Sequence, residues 1–347
     1  MEKNIQKICN RIINKASQKK NEFTLILLIN LLLKKNLELE DYVFFSRKKK
    51  NFNYLKFLKE IDNQLDNFSH YKKYGDFVKF KPKKDGKEKI HKKIYNSVWK
   101  LYSYEEYKKE RIPRYLKRIK INKIDKLIKN KYCIDFGCGH GNFLVACKKY
   151  GAKYGYGIDF GKQSINYANQ IKKKLGYSNK QLKYEVSTVY KTKCKKNSFD
   201  FAIQNGVFHH LKNPLKAFKE VYRVLKPGGF FWSYTSGENK GVYLNYCDLC
   251  QEIMSKFDSQ FVLSYLKSIG LSQNKVFDIY DIFYAKYERK NFNYYSKMLT
   301  KVGFTNFKLL KGGYATDFDA NQNNSKDFNY KFGEGELRLL CQKKTNQ

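Results

Sequence analysis

The chain has 347 residues, 42% of them apolar, which is enough for an ordinary core and excludes wholesale disorder. Its 70 Lys and Arg against 32 Asp and Glu leave a net charge of +38, yet only eight of the bases are Arg, the residue suited to paired phosphate and base-edge contacts. Lys, Asn, Ile, Tyr and Phe are the residues of A/T-rich codons, so skewed base composition accounts for much of this charge without a polyanionic partner.

From residue 1 to about 125 the pattern reads as a helical, Lys-rich N-terminal region. Its longest apolar run, Phe23 to Leu33, is too short to span a bilayer and predicts a buried helix. A Lys-dense stretch from Tyr71 to Lys120 is broken by a turn at Lys81 to Gly86. The first residues have no continuous apolar segment of the secretory kind. The eight cysteines form no disulfide framework, and the C-x-x-C at Cys247 and Cys250 lacks the second pair or nearby His of a metal site. Reduced thiols and a cytoplasmic location are the expectation.

From Lys131 short apolar strands alternate with helices. Strands are predicted at Tyr132–Phe136, Tyr154–Asp159, Leu182–Ser187, Phe199–Asn205 and Phe230–Tyr234, with helices at Asn142–Tyr150, up to Leu175, and Pro214–Leu225. The last helix has Asn213 as N-cap, Pro214 in its first position and an apolar stripe of Leu215, Phe218, Val221, Tyr222 and Leu225. Lys226-Pro227-Gly228-Gly229 reads as its stop. Such alternation calls for an α/β fold, a doubly wound, mostly parallel sheet with helices on both faces. A helical insertion follows at about 236–290, with Tyr280, Phe283, Tyr284 and Tyr287 at helical spacing as either core or a substrate lid. A helix at Asn293–Val302 and strands at Phe304–Leu310 and Leu337–Gln342 close the chain, around a polar loop from Asp317 to Asp327 that is expected to be mobile.

Two motifs carry chemistry. Asp135-Phe-Gly137-Cys138-Gly139-His-Gly141 lies between a strand and a helix, where glycines let the backbone approach a ligand and the helix presents free N–H groups. A nicotinamide site wants a third glycine at 142, where this chain has Asn142, so the spacing argues against a dinucleotide. Asp159, ending the next strand, can take both ribose hydroxyls of an adenosine.

Together with NSFDFAIQNGVFHHL and AFKEVYRVLKPGGFF, these motifs make Cys133 to Phe231 resemble the class I S-adenosylmethionine-dependent methyltransferases, particularly the ubiquinone and menaquinone biosynthesis branch. The resemblance implies a seven-stranded Rossmann-like sheet whose last strand is antiparallel, within a methyltransferase domain over residues 126–347. It implies S-adenosylmethionine as cofactor, with the loop of Gly137, Cys138, Gly139 and Gly141 under its methionine part. Asp135 would order that loop or take the donor's amino group, Asp159 would hold the ribose, and Phe160 would pack near the adenine. Asn205 and Gly206 would line the sulfonium side. The third strand departs from the family's Gly-Asp-Ala-like turn, reading Ser187-Thr188-Val189, so Thr188 or a backbone group must meet the adenine.

His209 and His210 follow the fourth strand on the acceptor side, and His is the usual base near neutral pH. Their competing role is structural. Asn205-Gly206-Val207-Phe208 is not the Pro-Pro turn of base amino-methylating enzymes, and no proline precedes a cysteine. The favoured acceptor is therefore a small molecule (hydroxyl, phenol, sugar or activated carbon), an acidic one suiting the positive field. The alternatives are an RNA methyltransferase whose basic N-terminal region binds the backbone, and a catalytically silent binding protein.

Overall fold

The computed structural model describes residues 2–18, 22–45, 52–68, 95, 103–238, 241–314, 316–319 and 326–345. The turn expected at Lys81–Gly86, most of the Lys-dense stretch and positions 320–325 of the polar loop lie outside them.

In chain order the helices and strands are α1 (Glu2–Ser17), α2 (Glu22–Glu40), α3 (Tyr54–Asn67), α4 (Ile112–Ile121), β1 (Tyr132–Phe136), α5 (Asn142–Lys149), β2 (Tyr154–Asp159), α6 (Lys162–Lys174) and β3 (Leu182–Val186). They continue with β4 (Phe199–Asn205), α7 (Pro214–Val224), β5 (Leu225–Ser236), α8 (Val242–Met254), α9 (Ser259–Ser268), α10 (Gln273–Tyr284), α11 (Phe292–Val302), β6 (Phe304–Leu309), α12 (Lys326–Phe332) and β7 (Glu336–Lys343).

The chain divides into two compact units, and the division falls at other points than the one expected near 125. The first unit takes residues 1–85 and the inserted residues 240–286 together; residues 86–125 group instead with the sheet. The physical reason is shared burial. Ile8, Ile12 and Ala16 form the buried stripe of α1, and α2 is buried nearly all round. Tyr246 of α8 donates its hydroxyl to the Leu32 carbonyl at 2.5 Å, and Asn30 donates to the Tyr265 hydroxyl at 2.7 Å. Asp62, 3% exposed, takes Arg11 at 2.5 Å and Lys15 at 2.9 Å, and these cations hold its carboxyl below the usual range against the pull of burial. Tyr280, Phe283 and Tyr284 belong to this core, as do Cys247 and Cys250 on α8. Among the described residues no helix is long and apolar enough to cross a membrane.

The second unit is a seven-stranded sheet in the order β3-β2-β1-β4-β5-β7-β6, parallel from β3 to β5, with β7 antiparallel to both its neighbours. Strand alternation sorts the core onto two faces. Cys133, Phe201, Ile203 and Trp232 pack with α4, α5 and α6 on one; Ile134, Phe136, Ala202 and Phe231 pack with α7 and α11 on the other. β5 is longer than its apolar run suggests: it starts at Leu225, directly after α7, and passes through Pro227-Gly228-Gly229. There the register shifts: Phe199 faces Leu225 and Phe201 faces Phe230, so residues 226–229 of β5, Pro227 among them, bulge out unpaired with β4. Lys343 secures the far end, donating Nζ to the Tyr222 and Leu225 carbonyls at the C-terminus of α7, each at 2.7 Å.

Candidate active site

The site forms where β1, β2 and β4 end. Past Phe136 the chain turns through Gly137, Gly139 and Gly141, all with positive φ (81°, 52° and 79°). A Cβ on Gly137 would meet Val207 Cγ2 at 2.5 Å, and one on Gly141 would meet the Tyr184 hydroxyl at 2.2 Å. Both space and backbone conformation therefore demand glycine. The N–H groups of Gly137 and Cys138 donate to the Ile158 carbonyl at 2.8 and 2.9 Å, tying the loop to the end of β2.

Asp159 sits at that junction, 7% exposed. Its Oδ2 accepts from Gly139 N–H at 3.1 Å and its Oδ1 from Gly161 N–H at 2.7 Å. Asp135, 3% exposed, is the contrasting case: among the described residues its Oδ1 accepts no hydrogen bond. Burial first, and then the charge of Asp159, push its carboxyl well above the usual range. A buried, unpaired acceptor of this kind fits a cationic ligand group.

A cavity of about 820 Å³, counting its open mouth, is lined by Gly137, Gly139, Asp159, Phe160, Thr188, Asn205, Gly206 and His210, with Tyr95, Val189, Tyr190, Val207 and Leu211. Eight of the residues singled out in the sequence thus come together. Cys138 does not: its thiol packs in the core on the α5 face, under Gly157, and burial raises its pKa well above the thiol range. Asp135 and Gly141 stand behind the lining. Phe160, 38% exposed, lies at the mouth.

The two histidines separate. His209 is buried, and its Nδ1 accepts from Ser236 N–H at 3.0 Å, which places its own hydrogen on Nε2. That hydrogen points to His210 Nε2, 3.0 Å away, so His210 receives a proton donor at Nε2 and carries its own hydrogen on Nδ1. The Tyr95 hydroxyl lies 3.1 Å from the same His210 nitrogen. The Tyr287 ring packs on both imidazoles, with centroids 4.9 and 4.7 Å away. His209 is an anchor, and His210 faces the cavity.

Sequence reasoning places α4 within a helical region but misses its contact with Asn205 and the charges beside it. Tyr115 of α4 receives the Asn205 side-chain amide at 3.3 Å, and Trp232 donates to Asn205 Oδ1 at 3.3 Å. Arg118 reaches Asp317 at 2.8 Å, and Arg338 of β7, 1% exposed, pairs with Asp319, with Glu336 at 2.5 Å and with Asp317 at 3.4 Å. Asp317 and Asp319, assigned to a mobile loop, are therefore buried and ion-paired, because two interior guanidinium groups require counter-charges. Nothing local in the sequence joins residues some 200 positions apart.

Residues 134–233 match the family model described as a methyltransferase domain. The chain is 31% identical to the sterol 4-C-methyltransferase of Caenorhabditis elegans across 31% of this chain and 32% of that protein. It is 33% identical to human EEF1A lysine methyltransferase 2 over 32% of this chain and 50% of that one, and 29% identical to the tRNA U34 carboxymethyltransferase of Helicobacter acinonychis over 29% and 39%. The chain thus spans about a third to a half of the length of these curated relatives. A SAM-dependent methyltransferase of Thermotoga maritima, described as a possible histamine N-methyltransferase, superposes with a TM-score of 0.46 at 17% identity, covering 75% of this chain and 100% of that one. Residues 134–233 are thus similar to methyltransferase domains.

Glu336 offers a test of the ionic cluster. Burial first, then Asp317, push its carboxyl up to about 7, against the hydrogen bond from Tyr234 and the charge of Arg118. The folded chain so retains a proton that the unfolded chain releases near 4.5. This contribution, on the order of 3 kcal/mol, is full at low pH and is lost as pH rises through about 7. Glu336→Gln should flatten the pH dependence of unfolding free energy between 4.5 and 7, followed by urea titration. An unchanged slope would show that Arg338 keeps Glu336 ionised throughout.

Proposed function

We propose that this methyltransferase domain carries a methyl group from S-adenosylmethionine to a small-molecule acceptor bearing a hydroxyl, phenol, sugar or activated carbon. The observation that carries the reading is the cavity that joins the glycine loop and Asp159 at one end to Asn205, Gly206 and His210 at the other. Relatives of the domain are named for sterol, protein-lysine and tRNA acceptors, so similarity alone does not choose among them. The choice of a small molecule rests on the walls: Val189, Tyr190, Val207 and Leu211 give a concave, largely apolar surface beside a limited set of polar groups. The resemblance to the ubiquinone and menaquinone branch agrees with such an acceptor.

The residues present fit the donor. Asp159 would accept the ribose hydroxyls while still holding Gly139 and Gly161, and Phe160 and Thr188 would flank the adenine. Bound there, S-adenosylmethionine supplies an electrophilic methyl group on a sulfonium. The chain's contribution is placement of the two reactants and exclusion of water. His210 is the residue placed to take a hydroxyl acceptor's proton at Nε2, giving up the hydrogen bond from His209 as it does so.

Two measurements test this. Asp159→Ala should weaken S-adenosylhomocysteine binding by about 2–3 kcal/mol in calorimetric titration, with NADH as a non-binding control. Undiminished affinity would remove Asp159 from the donor site. His210→Gln should lower kcat with a hydroxyl acceptor by roughly 10²-fold or more while leaving that affinity intact. Full turnover by His210→Gln would leave the acceptor's proton to solvent, and turnover of RNA alone would displace the small-molecule reading.

A further inference from the structure

We infer that Arg114, Lys117 and Tyr314 form an oxyanion subsite outside the cavity lining, which takes a phosphate group carried by the acceptor; the inference rests on the small-molecule reading above.

Three of the chain's eight arginines fall within residues 111–118, although its bases are otherwise mostly Lys. Arg118 is buried and paired with Asp317 at 2.8 Å. Arg114 is only half-buried and forms no ion pair among the described residues. It lies one turn before Lys117 on α4, and both cations converge on one ring. The Arg114 guanidinium stands 5.3 Å and the Lys117 ammonium 4.5 Å from the Tyr314 ring centroid. Lys117 is exposed and, among the described residues, has no acidic partner either.

The fold holds this arrangement in place. Asn122, just past α4, donates to the Lys311 carbonyl at 2.8 Å and accepts from the Lys311 N–H at 2.9 Å. Arg118 donates to the Gly312 carbonyl at 3.2 Å, and the Tyr314 N–H donates to Asp317 Oδ2 at 3.1 Å. The ring is thus fixed beside two cations that repel each other. Neighbouring carboxylates do not relieve them, because Asp317, Asp319 and Glu336 are taken by Arg118 and Arg338. Burial also pushes the Glu336 carboxyl up to about 7, which leaves the group with surplus positive charge. An oxyanion is what the arrangement lacks. The Arg fork suits two oxygens of a phosphate, the ammonium a third, and two cations match the charge of a phosphate monoester.

Its position suits an acceptor. Asn205 of β4 pairs with Tyr234 of β5, and Tyr234 with Arg338 of β7. The Leu310 N–H donates to the Arg338 carbonyl at 2.7 Å, so the segment leading to Tyr314 leaves the sheet level with Asn205. On α4, Arg114 adjoins Tyr115, whose hydroxyl meets the Asn205 amide at 3.3 Å. Subsite and cavity wall therefore share one edge of the sheet, roughly 10–15 Å apart by strand spacing. A molecule of that length, with its methylated atom at one end and a phosphate at the other, reaches both.

The experiment is calorimetric titration of the full chain, saturated with S-adenosylhomocysteine, with phenyl phosphate and separately with a ten-nucleotide oligouridylate. Phenyl phosphate should bind; Arg114→Gln should weaken it about tenfold and Lys117→Gln about threefold, with S-adenosylhomocysteine affinity unchanged in both. Replacing Lys126 and Lys129, exposed before the start of β1 at the opposite end of the strands, by Gln should leave phenyl phosphate affinity as it is. Equal weakening by that pair would assign the attraction to the charge of the whole chain and overturn the inference. No phenyl phosphate binding by a chain that binds S-adenosylhomocysteine would overturn it too, with the donor reading left standing. Oligouridylate bound at least a hundredfold more tightly than phenyl phosphate, and weakened by Lys117→Gln, would make this surface a dock for RNA. That result would overturn the inference and the small-molecule reading together.

Discussion

A side chain at Gly137 would run into Val207, and one at Gly141 into Tyr184, so the segment between β1 and α5 is packed as bare backbone. That close approach organises the site. It brings the loop against the end of β2, where the Ile158 carbonyl and Asp159 carboxylate take its N–H groups. It also keeps the space above the loop open for a ligand. Val207 in turn belongs to the segment that follows β4, so the same contact spaces the glycine-loop end of the cavity from the histidine end. The helix α5 then begins with its free N–H groups at the loop.

Electrostatics divides what sterics has enclosed. The β1–β2 side carries two carboxylates, one satisfied by backbone N–H groups and one buried without such partners. The α4 and β7 side carries Arg118 and Arg338, balanced by Asp317, Asp319 and Glu336. Buried ion pairs of this kind add little net stability, since desolvation offsets their attraction, but they have strict geometric requirements. Here they tie α4 to β7 and to the chain around Gly312, and α4 brings Tyr115 to Asn205. The cluster thus fixes the helix that positions the cavity-lining Asn205 amide.

The parts of this protein legible in the sequence are those where a local rule dictates the residue. Gly137, Gly139 and Gly141 follow from backbone conformation, Asn213 and Pro214 from the start of α7, and the sheet from strand–helix alternation. Continuous pairing of β5 with β4 begins at Phe230, where its apolar run starts, and Pro227-Gly228-Gly229 does interrupt the ladder; the part no local rule shows is that the strand reaches back to Leu225 across that bulge. Asp317 and Asp319 looked like solvent-facing loop residues because their partners lie on α4 and β7. The grouping of residues 1–85 with 240–286 was illegible for the same reason: apolar periodicity shows which face is buried, not which helix covers it. Of the two histidines, only coordinates distinguish the anchor from the one that faces the cavity.

The most direct test is a crystal structure of the full chain with S-adenosylhomocysteine. The account predicts the adenosine beside Asp159, Phe160 and Thr188, and the thioether near Gly137 and Asn205. Density for the ligand in the reverse direction, or outside this cavity, would contradict it.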